Sequence, residues 1–321
     1  MQKGVNNTVS PKSISPNMLT MFTFLVPFLA QTATEPATTH HQMNLFQSLV
    51  LGFIQGVTEF LPISSTAHLK VIPIILGWGD PGVAYTAVIQ LGSIAAVLWY
   101  FWKDLTEIIL GAYHAITQSK YDSQEFRLAL GIGLGTLPII FLGLCVKIFI
   151  PDFDNSPLRH LSSIAIASIF MSVLLGIAEK FGKRLRNFED LTVRDGILMG
   201  LAQAMAIIPG VSRSGSTLTA GLFMKLERAV AARFSFLLGI PAITLAGLVE
   251  LKGAIKEEGL GHDGPLALIV GVISATFFSY VAIAWLMKFL QTQNTWIFVW
   301  YRLAFGVAIL TMLAGGVLTN I

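Results

Sequence analysis

One cysteine in 321 residues, Cys145, excludes a disulfide framework and any thiolate metal site. It lies in an apolar run and reads as a small core hydrophobe. Charge is scarce as well. Asp, Glu, Lys and Arg make up 12% of the chain, and 21 basic against 18 acidic residues leave a net charge of +3, too little to argue for nucleic acid as a partner. No Gly-Lys-Ser/Thr follows the spacing of a nucleotide-binding P-loop. What is abundant is apolar surface: 54% of the residues are hydrophobic and the mean hydropathy is +0.70. A water-soluble domain cannot hide that much, so the chain reads as a polytopic membrane protein with the bilayer as its solvent.

Apolar runs with little or no charge at 82–102, 128–146, 161–178, 234–250, 265–287 and 296–318 predict six transmembrane helices. Two further stretches are apolar but broken. A helix from Asn44 stops at Pro62 and a short one follows from about Ser65; the same happens across 196–225 around Pro209-Gly210. Each limb is too short to cross a hydrocarbon core of roughly 30 Å, so both are expected as re-entrant helical hairpins lined by protein. The order is hairpin and three spans, twice. Three spans per half invert the second copy, which gives an all-α fold of two inverted-topology repeats, about 44–180 and 194–321, in a single domain 44–321. Lys103, Lys120, Arg127, Lys180, Lys183, Arg184, Arg186, Arg194, Lys225, Arg228, Arg233 and Lys288 fall on one face, which the positive-inside rule makes cytoplasmic. Asn44 and the C-terminus are then outside. Residues 1–43 form an N-terminal extension rich in Asn, Thr, Ser and Pro, with an apolar core from Met18 to Ala30 broken by Pro27. It is read either as a cleavable signal segment or as a part dispensable to the fold, Met43 standing directly before the membrane domain.

Polar chemistry is confined to the two broken stretches. Both read Gly-x-x-Gln, then apolar residues, then Pro and a hydroxyl cluster. In the first, Gln55 and Glu59 are i and i+4, on one helical face. A carboxylate in a membrane segment costs at least about 2.5 kcal/mol unless water or a partner receives it, so Glu59 is a functional residue by default. Ser64 or Ser65 can cap the helix after Pro62, placing His68 in its first turn beside Ser65 and Glu59. Hydroxyl, imidazole and carboxylate together form a candidate nucleophile and proton-transfer group. In the second stretch the break at Pro209-Gly210 is followed by Ser212-Arg213-Ser214-Gly215-Ser216-Thr217. Free N–H groups at a helix start, Gly215 allowing close approach, the Arg213 fork and the hydroxyls of Ser212, Ser214 and Thr217 make an anion site suited to phosphate. The copies are unequal: Ile207 stands where the acid would be, and the first hairpin has no arginine. The first is therefore expected to supply chemistry and the second to hold phosphate. Tyr301-Arg302 reads as an interfacial anchor or snorkelling cation.

These residues resemble the integral-membrane undecaprenyl-diphosphate phosphatases, or bacitracin-resistance proteins, whose signatures are Glu or Gln, three residues, then Glu, and Pro-Gly-x-Ser-Arg-Ser-x-x-Thr. Here they are Gln55 to Glu59 and Pro209 to Thr217, with further likeness at 60–66, in Gln90-Leu91-Gly92-Ser93 and in Phe234-Ser235-Phe236-Leu237-Leu238. Gln55 is the amide variant of its position, and Ala67 replaces an expected Gly. The resemblance implies cleavage of a C55 polyprenyl diphosphate to the monophosphate and phosphate, which recycles the lipid carrier of cell-wall synthesis and confers bacitracin resistance. It further implies a bacterial inner-membrane location. The site is expected to open to the outer face, and a homodimer is one expected assembly. In that setting Glu59, His68, Ser65 and Gln55 would be catalytic, and Arg213, Ser212, Ser214, Gly215, Thr217 and Ser64 would bind the diphosphate. A divalent cation, Mg²⁺ or Ca²⁺, with Glu59 as its protein ligand would offset charge. The rival reading is a secondary transporter of an organic or phosphate anion, since inverted repeats with broken helices are also a carrier architecture.

Overall fold

A computed structural model of the chain describes residues 43–150, 153, 156–257 and 264–320. The readings for residues 1–42 lie outside them. The described residues form eleven α-helices: α1 Leu45–Phe60, α2 Ser65–Ile75, α3 Gly82–Tyr100, α4 Trp102–Thr117, α5 Gln124–Phe149, α6 Leu161–Phe181, α7 Val193–Ala204, α8 Arg213–Phe223, α9 Arg228–Glu257, α10 Pro265–Thr292 and α11 Trp296–Ala314. Six of them, α3, α5, α6, α9, α10 and α11, are long and apolar enough to cross a membrane. They coincide with the six expected runs. The distribution of side chains is that of a protein dissolved in lipid: Phe141 and Phe149 are 70% and 79% exposed, whereas Gln55, His68, Ser93, Ser279 and Arg302 are buried.

The broken helices start and stop for local reasons. Asn44 caps α1 reciprocally with Gln47, and Pro62 follows its extended C-cap at Leu61. Thr192 and Asp195 form the same kind of box at the start of α7, which ends in a short 3₁₀ turn, Met205–Ile207, before Pro209. Bare backbone lets these helices approach the spans closely. A Cβ on Gly52 of α1 would sit 2.4 Å from the Gly271 carbonyl of α10, and one on Gly200 of α7 would sit 2.0 Å from that of Gly135 in α5. The second contact pairs Gly131-xxx-Gly135 with Gly196-xxx-Gly200, the small-residue spacing by which helices associate where no water drives them together.

One end of the bundle is fastened by partly buried ion pairs. Glu179 at the foot of α6 pairs with Arg184 at 2.8 Å and with Arg228 of α9, and it accepts from the Thr295 hydroxyl before α11 at 2.8 Å. Arg186 pairs with Asp195 at 2.6 Å. Asp104 of α4 pairs with Arg233 of α9. The helix α4 lies between two of the expected spans, where the apolar pattern predicts no helix. Cys145 stands on α5 as a free, half-exposed thiol rather than in the core.

Candidate active site

The site lies where the turns of the two broken helix pairs meet. Glu59, in the last turn of α1, has its side chain 11% exposed. Its Oε2 accepts from Ser65 Oγ at 2.7 Å and from Gln55 Nε2 at 3.3 Å. Gln55 is held from behind, because the same nitrogen donates to Ser93 Oγ of α3 at 3.3 Å, and Ser279 Oγ of α10 donates to Ser93 at 2.9 Å. A buried polar chain thus runs from the carboxylate into the bundle.

The break after α1 ends at Ser64, whose φ of 77° and ψ of 102° are rare for a residue with a side chain; Ser65 is the first residue of α2. Ser212 stands in the same place before α8, with φ 70° and ψ 117°, and its Oγ accepts from Gly215 N at 3.1 Å. That unusual backbone therefore recurs 148 residues apart, at the hydroxyl that ends each turn. It throws the next side chain, Ser65 in one case and Arg213 in the other, toward Glu59. The Arg213 guanidinium lies 3.5 Å from Glu59 Oε1 with its side chain 9% exposed, and Nε and both terminal nitrogens are buried without a hydrogen-bond partner. Such a fork is costly to leave unmatched and is suited to an anion with several oxygens.

Ser214 braces the two turns, its Oγ donating to the Leu61 carbonyl at 3.0 Å. Arg302 of α11 bolts them together. Its NH1 donates to the Pro62 carbonyl at 2.9 Å, and its NH2 donates to those of Gly210 at 2.7 Å and Val211 at 3.0 Å. The expectation of an interfacial or snorkelling cation at 302 is therefore corrected: the side chain is among the largest fully buried ones. The sequence signal was there, a lone arginine in an apolar run, but its partners lie 240 and 92 residues away.

His68 is corrected as well. It does not face Ser65 and Glu59. Nδ1 donates to the Ser64 carbonyl at 2.7 Å, which leaves Nε2 to accept from the Tyr301 hydroxyl, also at 2.7 Å, while the ring stacks on Phe305 at 4.3 Å. With α2 starting at Ser65, the third residue on points to α11. Ser64 makes no side-chain cap bond. Thr217 is fully buried, its hydroxyl donating to the Arg213 carbonyl at 2.8 Å and sharing a hydrogen bond with Ser235, and Gly215 turns its bare side toward Arg302 NH1. Both support the turn from within.

A resident divalent cation finds a thin donor set. Glu59 is the one carboxylate here, its oxygens already engage Ser65, Gln55 and Arg213, and among the described residues no three His, Cys, Asp or Glu side chains come together as metal ligands. The residues present do not form a metal site by themselves.

Residues 48–308 match the family described as bacitracin resistance protein BacA. An undecaprenyl-diphosphatase of Trichormus variabilis is 68% identical over 279 residues, 87% of each chain. One of a Synechocystis species is 65% identical over 292 residues, 90% of this chain and 89% of the relative, and one of Gloeobacter violaceus is 56% identical over 280 residues, 87% and 96%. With the two signature stretches converging on one partly buried carboxylate and one guanidinium without a hydrogen-bond partner, and the match covering most of the sequence, the chain belongs to the BacA bacitracin-resistance family of membrane proteins.

Proposed function

We infer that the chain is an undecaprenyl-diphosphatase, a membrane hydrolase that cleaves undecaprenyl diphosphate to the monophosphate and inorganic phosphate. The observation that carries this reading is the pairing of Ser65 with Glu59 at 2.7 Å beside the unmatched Arg213 fork. Arg302 is satisfied by carbonyls alone, so the turn region holds two guanidinium groups against one carboxylate. That excess of one positive charge favours an anionic headgroup, which the helix starts of α2 and α8 also favour.

In the proposed reaction, Glu59 Oε2 takes the proton of Ser65 as Oγ bonds the terminal phosphorus. The bond from that phosphorus to the bridging oxygen breaks, and the lipid leaves as its monophosphate. Glu59 passes that proton to the departing monophosphate; the freed carboxylate then deprotonates the water that attacks the phosphoserine and gives a proton back to Ser65 Oγ as inorganic phosphate leaves. Arg213 and the Ser212 turn hold the non-bridging oxygens throughout. Gln55 orients the carboxylate. His68 fixes the Ser64 carbonyl and hence the turn from which Ser65 projects. No step is routed through a metal; Mg²⁺ or Ca²⁺ enters the proposal only as a companion of the diphosphate, with Glu59 its single carboxylate.

We further read α1–α2 and α7–α8 as re-entrant hairpins of two inverted repeats. Matching backbone at Ser64 and Ser212 supports this, as does Arg302 binding carbonyls at the corresponding positions 62 and 210. So does the exchange of partners, α1 packing on α10 and α7 on α5. At about 1.5 Å per residue the 16 residues of α1 reach roughly 24 Å, short of a full crossing. The first hairpin starts at the end away from the basic loops, which supports a site opening to the outer face of the bacterial plasma membrane. The test is phosphate release from undecaprenyl diphosphate by detergent-purified protein, with Arg213→Ala strongly impaired. Uptake of an anion into vesicles without phosphate release would establish the carrier reading instead.

A further inference from the structure

The Arg213 fork is held against α9 in an unusual way. A Cβ built on Gly239 would lie 1.7 Å from Arg213 NH1, 2.7 Å from Cζ and 3.4 Å from NH2. All three of the nearest atoms belong to this one guanidinium. At the packing glycines of the fold the situation is different: at Gly135 and Gly200 the added carbon would strike carbonyl oxygens of neighbouring helices, which are backbone and cannot give way. Gly239 thus makes room for a side chain, not for a helix crossing.

We infer that Gly239 is a positioning residue for Arg213, the absent side chain letting one terminal nitrogen of the fork come up against α9 while the other faces Glu59. The inference rests on the reading of Arg213 as the phosphate-binding group and adds the part of α9 that sets where it sits. Non-bonded heavy atoms settle at about 3.5 Å, so an alanine at 239 makes NH1 retreat by about 1.8 Å. The obstacle is the far end of a flexible side chain, so the helices stay where they are and the displacement falls on the fork. Displacement of a binding group by about 1 Å can cost on the order of 10²-fold in rate.

Gly239→Ala, Arg213→Lys and the double variant are compared in one detergent, by kcat and KM for undecaprenyl diphosphate and by thermal unfolding. Lysine ends in one ammonium and lacks the fork that the new methyl would strike. The expected result is a loss of at least about tenfold in kcat/KM for Gly239→Ala at nearly parental unfolding temperature. In the Arg213→Lys background the same alanine should change kcat/KM by less than about twofold, the non-additivity of groups in contact. Gly135→Ala serves as the packing control and should lower the unfolding temperature. Parental kcat/KM in Gly239→Ala overturns the inference, and so does an equal loss in both backgrounds. Should Gly239→Ala unfold, an unfolding temperature equally low in the double variant overturns it, and recovery by lysine supports it. The underlying reading fails separately, by near-parental hydrolysis in Arg213→Ala.

Discussion

Replacing Arg302 tests whether the two turns act as one unit. Three of its hydrogen bonds, at 2.7, 2.9 and 3.0 Å, end on carbonyls of two different turns. A buried acceptor that loses its donor costs about 1–3 kcal/mol, so truncation to methionine leaves roughly 3–9 kcal/mol of unmatched carbonyls. Removing a buried charge returns part of that. The low end, about 3 kcal/mol, is therefore the expected loss, worth on the order of 6 °C in unfolding temperature at about 2 °C per kcal/mol. Arg302→Lys separates geometry from charge. One ammonium cannot span the Pro62 and Gly210 carbonyls as two arms of a fork do. The lysine variant should stay inserted and folded while the turns slip, and a slip of about 1 Å corresponds to roughly 10²-fold in kcat. Phosphate release and thermal unfolding are read in the same detergent. Parental kcat in the lysine variant, or a parental unfolding temperature in the methionine variant, refutes the coupling of the turns through this side chain.

Two shorter predictions accompany it. Glu59→Gln keeps the shape of the acid and deletes its charge, so single-turnover phosphate release should fall by about 10²- to 10⁴-fold while lipid diphosphate still binds; release at the parental rate would leave Glu59 a structural group. In a Cys145→Ala background, Asn187→Cys and Asn320→Cys, both exposed, should label from opposite sides of the membrane, Asn187→Cys from the cytoplasm only, and labelling of both from one side sinks the proposed orientation.

What could be read from the sequence follows what the solvent enforces. A membrane requires long uncharged runs, so α3, α5, α6, α9, α10 and α11 announce themselves; Pro62 and Pro209 stand at breaks because polar, hydroxyl-rich turns follow them, whereas Pro73, Pro138 and Pro241 lie inside helices. The amphipathic α4 escapes that logic. Its 16 residues carry Lys103, Asp104 and Glu107, and the partner that fastens Asp104, Arg233, is 129 residues distant. The site residues were legible as types, not as directions. A helix capped at Ser64 or Ser65 predicts His68 beside Glu59, yet the turn at Ser64 aims it at Tyr301 and Phe305, on a helix more than 230 residues on. Arg302 and Gly239 act through contacts of that kind, and neither belongs to a motif.

The register of the two turns accounts for the single carboxylate of the proposed reaction. Residues 148 apart correspond: Gln55 with Gln203, Glu59 with Ile207, Ser64 with Ser212, Ser65 with Arg213. The last pair are the first residues of α2 and α8, each following a serine with nearly the same φ and ψ. Both therefore project the same way from the same kind of turn, and both end on Glu59, Ser65 at Oε2 and Arg213 at Oε1. With an acid and a hydroxyl in the second turn as well, two carboxylates would face a charged phosphate with no guanidinium between them. Substituting Ile207 removes the repulsion, and substituting Arg213 at the nucleophile's counterpart converts that position into a clamp. In the proposed reaction the phosphorus is held at the seam, with the attacking oxygen offered by one turn and the binding fork by the other. Neither turn assembles the site alone, and this is why the bolt at Arg302, which fixes one turn against the other, lies outside both signatures.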